Sequence, residues 1–217
     1  MLYVSELFES EIAMLISAEC YYDLYIKGKE KEVIVGEIST LRNEMARLKQ
    51  KLESPYYEYE EHPFPGERSQ LCACREYLSM ARAELLSFGE DCYSEEELAC
   101  ERMLERLDGL TSLTLEMTGE TYGVTFEGER AVLGKHSVGG EKRLTFDRAE
   151  LILGLKSLYI GEWRSQYLPR DYGCVEPSPK PWELRLCFEG GDVAVYSGIS
   201  VYPYNFSSLL DILSGES

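Results

Sequence analysis

The chain is predicted to be an α+β protein: an N-terminal antiparallel helical hairpin or bundle, then an antiparallel sheet built from two ββα units with their helices on one face. Three observations predict this. Apolar residues recur at steps of three and four as far as Asp108. From Leu110 the period becomes two. A hairpin-then-helix pattern then occurs twice, at about 111–158 and 182–214. Residues 1–108 are therefore expected to form an acidic helical region, and residues 109–217 an α+β domain.

In the helical region, residues 4–26 place Val4, Phe8, Ile12, Leu15, Ala18, Tyr22 and Tyr25 on one helical face before Lys27-Gly28-Lys29 interrupts. Ile34, Ile38, Leu41, Met45, Leu48 and Leu52 then alternate steps of four and three, which makes a heptad seam for a partner helix. The break at Gly28 is short, so the first helix is the expected antiparallel partner. The other candidate is a second copy of the chain, forming a homodimer through helices 4–54. Ser54-Pro55 ends the seam helix. A third helix is expected over Glu67–Phe88, with Leu71, Cys74, Leu78, Ala81, Leu85 and Phe88 on one stripe and Gly89 as its stop. Ser94-Glu95-Glu96-Glu97 reads as a capping box opening a fourth helix, with Leu98, Leu104 and Leu107 inward.

In the second half, Leu113, Leu115 and Met117 alternate with polar residues, Gly119 turns, and Tyr122, Val124 and Phe126 alternate again. Gly134–Gly140 reads as an inter-strand loop before a short strand around Arg143–Phe146. Asp147, with Glu150 three residues on, caps a helix whose inner face is Leu151, Leu155 and Leu158. Residues 164–181 read as a surface loop. Trp182, Leu184, Leu186 and Phe188 form the next inward row, Gly190-Gly191-Asp192 turns, and Val193 and Val195 return. Asn205 is the expected N-cap of a last helix bearing Phe206, Leu209, Leu210 and Leu213. One ββα unit cannot bury its own apolar face, so the two are expected to join into one sheet.

Gly161-Glu162-Trp163, Tyr167, Trp182-Glu-Leu-Arg-Leu, Gly198 and Tyr202-Pro203-Tyr204-Asn205-Phe206 together resemble a family of uncharacterised domains from gut-type Gram-positive bacteria and their mobile elements. The resemblance covers the last quarter of the chain. Ile199-Ser200-Val201 departs from it, standing where a Ser-Asn-Ala run is usual. It implies a bacterial cytoplasmic protein and no known activity.

Composition narrows the function. Thirty-nine acidic residues face 22 basic ones, a net charge of −17. Direct contact with a phosphate backbone or an anionic membrane is disfavoured, and a basic protein partner is favoured. No apolar run approaches the roughly 18 residues of a membrane span. Seven irregularly spaced cysteines, and a start without a basic and then apolar leader, point to a reducing cytoplasm and mostly buried free thiols. His62 and His136 stand outside any nucleophile-elbow context. Gly134–Gly140 lacks the order of a phosphate-binding loop. Cys72-Ala-Cys74 on a helix would point about 200° apart, too far to share an ion. No catalytic, cofactor or metal site is therefore expected.

Two clusters are candidates for partner binding: Tyr56, Tyr57, Tyr59 and Glu60 in the acidic loop after the second helix, and Glu97, Glu101 and Glu105 on the fourth. Tyrosine supplies contact area at low entropic cost. The leading expectation is a non-enzymatic protein that docks a partner through this acidic, Tyr-rich half. One alternative is an acidic inhibitor that mimics nucleic acid. The other is a carboxylate enzyme, which would need Glu162, Arg164 and Tyr167 to converge on a pocket.

Overall fold

The computed structural model describes residues 15–57, 65–90, 92–175 and 177–215. In the N-terminal part the heptad is buried as its spacing requires. Ile34, Ile38, Leu41, Met45, Leu48 and Leu52 on α2 (Lys31–Leu52) are each at most 8 % exposed. Each buried Ile or Leu contributes about 1.5–3 kcal/mol. The helix that covers them is α3 (Glu67–Ser87), not the first helix. Lys51 Nζ lies 2.7 Å from Glu67 Oε1, and Lys31 pairs with Glu90, so α2 and α3 run antiparallel. The seam is filled within the chain by α3. On α3 the stripe Leu71, Cys74, Leu78, Ala81 and Leu85 is buried as expected, while Phe88 lies off it and is 48 % exposed. Gly89 has φ +77° and ends the helix.

The first segment departs from its expected face. Residues 4–14 lie outside the described residues. α1 (Ala18–Tyr21) passes directly into a π-turn over Tyr22–Ile26, where Lys27 N donates to Tyr22 O at 2.8 Å. A π-turn bonds five residues apart, so it shifts the helical phase. Tyr21 and Ile26 are consequently the buried pair, whereas Leu15 and Tyr25 are exposed. Tyr21 stacks on Tyr77, with ring centroids 4.0 Å apart.

Glu67 is buried at the start of α3. Burial alone raises its pKa. The Lys51 ammonium, the backbone N–H of Glu67 and the Tyr57 hydroxyl outweigh it and hold the carboxyl below its ordinary value. A carboxyl depressed in the folded state adds stability above its unfolded pKa, and this is lost as pH falls through the folded value. The α2–α3 pair should therefore weaken below about pH 4.3. Glu67→Gln should be less stable at pH 7 and change less between pH 5 and pH 3. Thermal melts followed by far-UV circular dichroism at stepped pH measure this. Parallel losses in both proteins would remove Glu67 as the cause.

The chain divides into two compact units, Met1–Cys92 and Tyr93–Ser217. The boundary therefore falls before α4 (Glu95–Arg106) and not at Asp108-Gly109. The change of period at Gly109 marks a helix handing over to a strand inside one unit. The capping box is present: Glu97 N donates to Ser94 Oγ, and Ser94 N donates to Glu97 Oε2. The inner face of α4 is Cys100 and Met103, followed by Leu107 just past the helix, while Leu98 is exposed and Leu104 half-buried. That face is set by the turn Ile160–Glu162, against which α4 packs.

Seven strands form one sheet in the order β4-β3-β2-β1-β6-β7-β5. They are β1 (Leu110–Met117), β2 (Glu120–Glu127), β3 (Arg130–Ser137), β4 (Gly140–Asp147), β5 (Gln166–Tyr167), β6 (Pro181–Phe188) and β7 (Val193–Ile199). All neighbours are antiparallel except β5 and β7. The helices are α5 (Arg148–Ser157) and α6 (Phe206–Ser214). The plan is α+β as expected, but in place of the first ββα unit stands a four-stranded meander followed by a helix. Gly134 lies inside β3, and the turn is confined to Val138-Gly139. The segment 164–181 likewise holds β5 and a short 3-10 turn over Pro169–Tyr172.

Residues directly opposite each other share a face of the sheet. Leu113 faces Val124 and Leu186, and Leu115 faces Tyr122 and Leu184. This face is the core. Asp147 caps α5 as expected, accepting from Glu150 N, and Leu151, Leu155 and Leu158 are buried. Phe206, at the start of α6, meets Trp182, and Gly215, just past its end, comes near Leu144 and Phe146 on β4. The helix α5 packs on α6, with Gly154 admitting Ile212. On β7 the inward phase is one residue later than expected. Ala194 faces Leu186 and Tyr196 faces Leu184, leaving Val193 and Val195 exposed. All seven cysteines are free thiols; only Cys74 and Cys100 are buried, and Cys20 and Cys72 are exposed. No helix among the described residues is long and apolar enough to cross a membrane.

Candidate functional site

Among the described residues of the first unit, the features suited to contact gather at the open end of the hairpin. The Lys31–Glu90 pair holds the start of α2 beside the end of α3. Val33 and Val35 on α2, and Leu86 and Phe88 at the end of α3, are exposed there. The π-turn adds exposed Leu24 and Tyr25. It is tied to the hairpin by Tyr22, whose hydroxyl donates to Glu84 at 2.6 Å, and by Tyr21, which donates to Glu37. Tyr77 in turn donates to Ile16 O at 2.6 Å. These bonds fix the Tyr21, Tyr22 and Tyr77 rings against the hairpin. Among the pinned phenols, burial and then the Glu37 carboxylate push Tyr21 far above the ordinary phenol range, and it stays a neutral donor.

The expected partner-binding residues fall in several places. Tyr56 is 53 % exposed. Tyr57 turns inward and donates to Glu67 at 3.0 Å, so it supports the hairpin. Tyr59 and Glu60 lie outside the described residues. Glu97 is held in its capping box, and Glu101 and Glu105 are exposed on α4. Asp108, which extends that acidic row, pairs with Lys156 at 2.7 Å. The tyrosines belong to one unit and the α4 glutamates to the other. Sequence reasoning missed Val33, Val35 and Leu86. The signal for them was present: each is an apolar residue next to, rather than on, the buried stripe of its helix.

The residues that carry the family resemblance converge in the second unit, and their contacts are internal. Trp163 Nε1 donates to Asn205 Oδ1 at 2.9 Å, and Asn205 Nδ2 donates to Leu158 O at 2.6 Å. Asn205 therefore makes no side-chain cap on α6, contrary to expectation. Tyr204 donates to Glu162 Oε2 at 3.0 Å. Trp182 Nε1 donates to Val201 O at 2.8 Å, passing so close to Gly198 that a Cβ there would stand 2.5 Å from the indole nitrogen. Tyr167 is buried and its hydroxyl accepts from Arg164 N, while the Arg164 guanidinium lies over the Tyr172 ring. Glu162, Arg164 and Tyr167 thus do not converge on a pocket. Burial raises the Tyr196 phenol to about 12 beside this cluster. Among the described residues no group of three or more His, Cys, Asp or Glu is placed to hold a metal ion.

Comparison with known family models, curated proteins and solved structures finds no match.

Proposed function

We propose that this chain is a non-enzymatic interaction protein that docks a protein partner through the open end of its α2–α3 hairpin. The observation that carries the reading is the group of exposed apolar side chains there: Leu24, Tyr25, Val33, Val35, Leu86 and Phe88. Val33 and Val35 flank the buried stripe of α2 on opposite sides, so the apolar residues here form edges on adjoining elements, and the partner is proposed to grip these edges. The net charge of −17 favours a basic partner and speeds its encounter. Tyr56 stands at the other, closed end of the hairpin, roughly 30 Å along α2, and lies outside this surface.

The nucleic-acid mimic has less support. It needs a continuous acidic array, and on α4 Glu97 serves the helix cap while Asp108 serves Lys156. A carboxylate enzyme through Glu162, Arg164 and Tyr167 also has less support, because their partners are internal.

The test is capture from a bacterial lysate by the tagged chain and by Val35→Asp/Leu86→Asp, with washes at low and high salt. Both substitutions are on exposed positions, so far-UV circular dichroism should be unchanged. The expected result is one partner retained at high salt by the native chain and lost by the variant. Equal capture by both would overturn the proposed surface. A set of basic nucleic-acid-handling proteins released at high salt would favour the mimic instead.

A further inference from the structure

We infer that an open cavity at one end of the sheet is a binding site for a small alkylammonium ligand. The cavity, of about 420 Å³, lies where β1, β6, β7 and β5 end together. That volume falls within the range of small-molecule sites. It is formed wholly within the second unit, and the inference does not rest on the docking proposal.

Its polar floor is set by strand register. Glu116 faces Glu183 across β1 and β6. Glu183 faces Ser197 across β6 and β7, and Ser197 faces Gln166 across β7 and β5. Opposed residues share a face, so these four make one row, about 14 Å long at the usual strand spacing. Next to the row, towards the ends of the strands, the lining is apolar: Leu168, Pro181 and Ile199 follow on the same face, with Met117 at its edge.

The row is rich in acceptors and lacks positive charge. Two carboxylates directly opposite on neighbouring strands repel, a placement that costs stability. Arg185, in the adjoining row, donates to Glu183 at 2.7 Å. The Glu116 carboxylate has no ion-pair or hydrogen-bond partner among the described residues. No Lys or Arg lines the cavity, and the Trp182 indole N–H is already taken by Val201. A complementary ligand therefore brings both the donors and the positive charge. The apolar wall asks for a short alkyl body behind them. Neutral polyols match less well, because they also need donors from the protein, and only Ser197, Gln166 and Thr118 supply side-chain ones.

The wall is also pre-organised. Ser200 sits at φ +54°, a conformation that non-glycine residues adopt at a cost and that clusters at functional sites. It is pinned to Lys180 in both directions, Ser200 N donating to Lys180 O and Lys180 N to Ser200 Oγ. This closes the end of β6 on β7 directly beside Ile199.

The test is a titration of the isotope-labelled full chain with butylammonium, putrescine and butanol, followed by amide and indole NMR shifts. The expected result is a saturable shift at Gln166, Ser197 and Trp182 with both ammonium compounds and none with butanol. Glu116→Gln should weaken the binding about fivefold, the scale of one solvent-accessible ion pair. The Trp163 indole signal, bonded to Asn205, should stay in place and report an intact fold in that variant. Equal shifts with butanol would overturn the inference. So would unchanged affinity in Glu116→Gln, or no saturable shift with either amine.

Discussion

Ile38→Asp is expected to unfold the α2–α3 hairpin while leaving the sheet intact. Ile38 is 0 % exposed at the middle of the seam between α2 and α3. A carboxylate there would be buried with no cation designed to meet it, a change that costs about 3–5 kcal/mol. That is a large part of the stability of any small domain. Both tryptophans, Trp163 and Trp182, lie in the second unit, so their indole signals report on the sheet alone. The expected readout is a loss of far-UV helical signal with both indole resonances retained. Ile38→Leu keeps the volume and should cost less than about 1.5 kcal/mol. Unchanged helicity in Ile38→Asp would show that the seam is not the core of the hairpin.

Gly161→Ala is expected to be, with Gly198→Ala, one of the two most damaging single methyl additions to the second unit. A Cβ at Gly161 would stand 2.5 Å from Cys100 Cα, 3.0 Å from Met103 Cβ and 3.1 Å from Ala99 O. Two of these three atoms are backbone of α4, which cannot swing aside as a side-chain tip can. The helix must shift or the Ile160–Glu162 turn must open, and overpacking of this kind costs about 1–3 kcal/mol or more. The melting temperature followed by tryptophan fluorescence should fall by about 5–10 °C. Gly36→Ala is the contrast: nothing stands within 4 Å of its Cβ position, and alanine in a helix interior should be neutral or stabilise by about 0.5–1 kcal/mol. Equal melting temperatures for Gly161→Ala and the native chain would mean that α4 does not pack on this turn.

The helical half was legible where burial alone decides the pattern. Ile34 through Leu52 repeat because one face of α2 is covered, whichever element covers it. The identity of the covering helix was not legible, because short connections favour neighbours while α3 arrives after a longer one. The π-turn was hidden too: one widened turn moves burial from Tyr22 and Tyr25 to Tyr21 and Ile26 without changing composition. In the sheet, β3 escaped notice because only Ala131 and Leu133 show its alternation, and Gly134 dilutes it. Asn205 had the chemistry of a cap, but its amide is engaged by Trp163 and Leu158. The row from Glu116 to Gln166 is spread over four strands, of which only β6 and β7 are neighbours both in the chain and in the sheet, so register assembles it.

The central β1–β6 pairing also has a consequence for how this unit folds. The pairs β1–β2, β2–β3 and β3–β4 join strands separated by tight turns, as does β6–β7 across its short loop. The β1–β6 pair instead brings together strands separated by four further strands and α5. Closing so long a loop costs entropy before any contact repays it. Hairpins form in about 1–10 μs, whereas non-local pairing slows whole-domain folding towards the millisecond-to-second range. Refolding should therefore pass through a meander whose β1 edge is still bare, waiting for β6. An unpaired edge of that kind recruits strands from other molecules as readily as from its own, so refolding yield should fall as protein concentration rises.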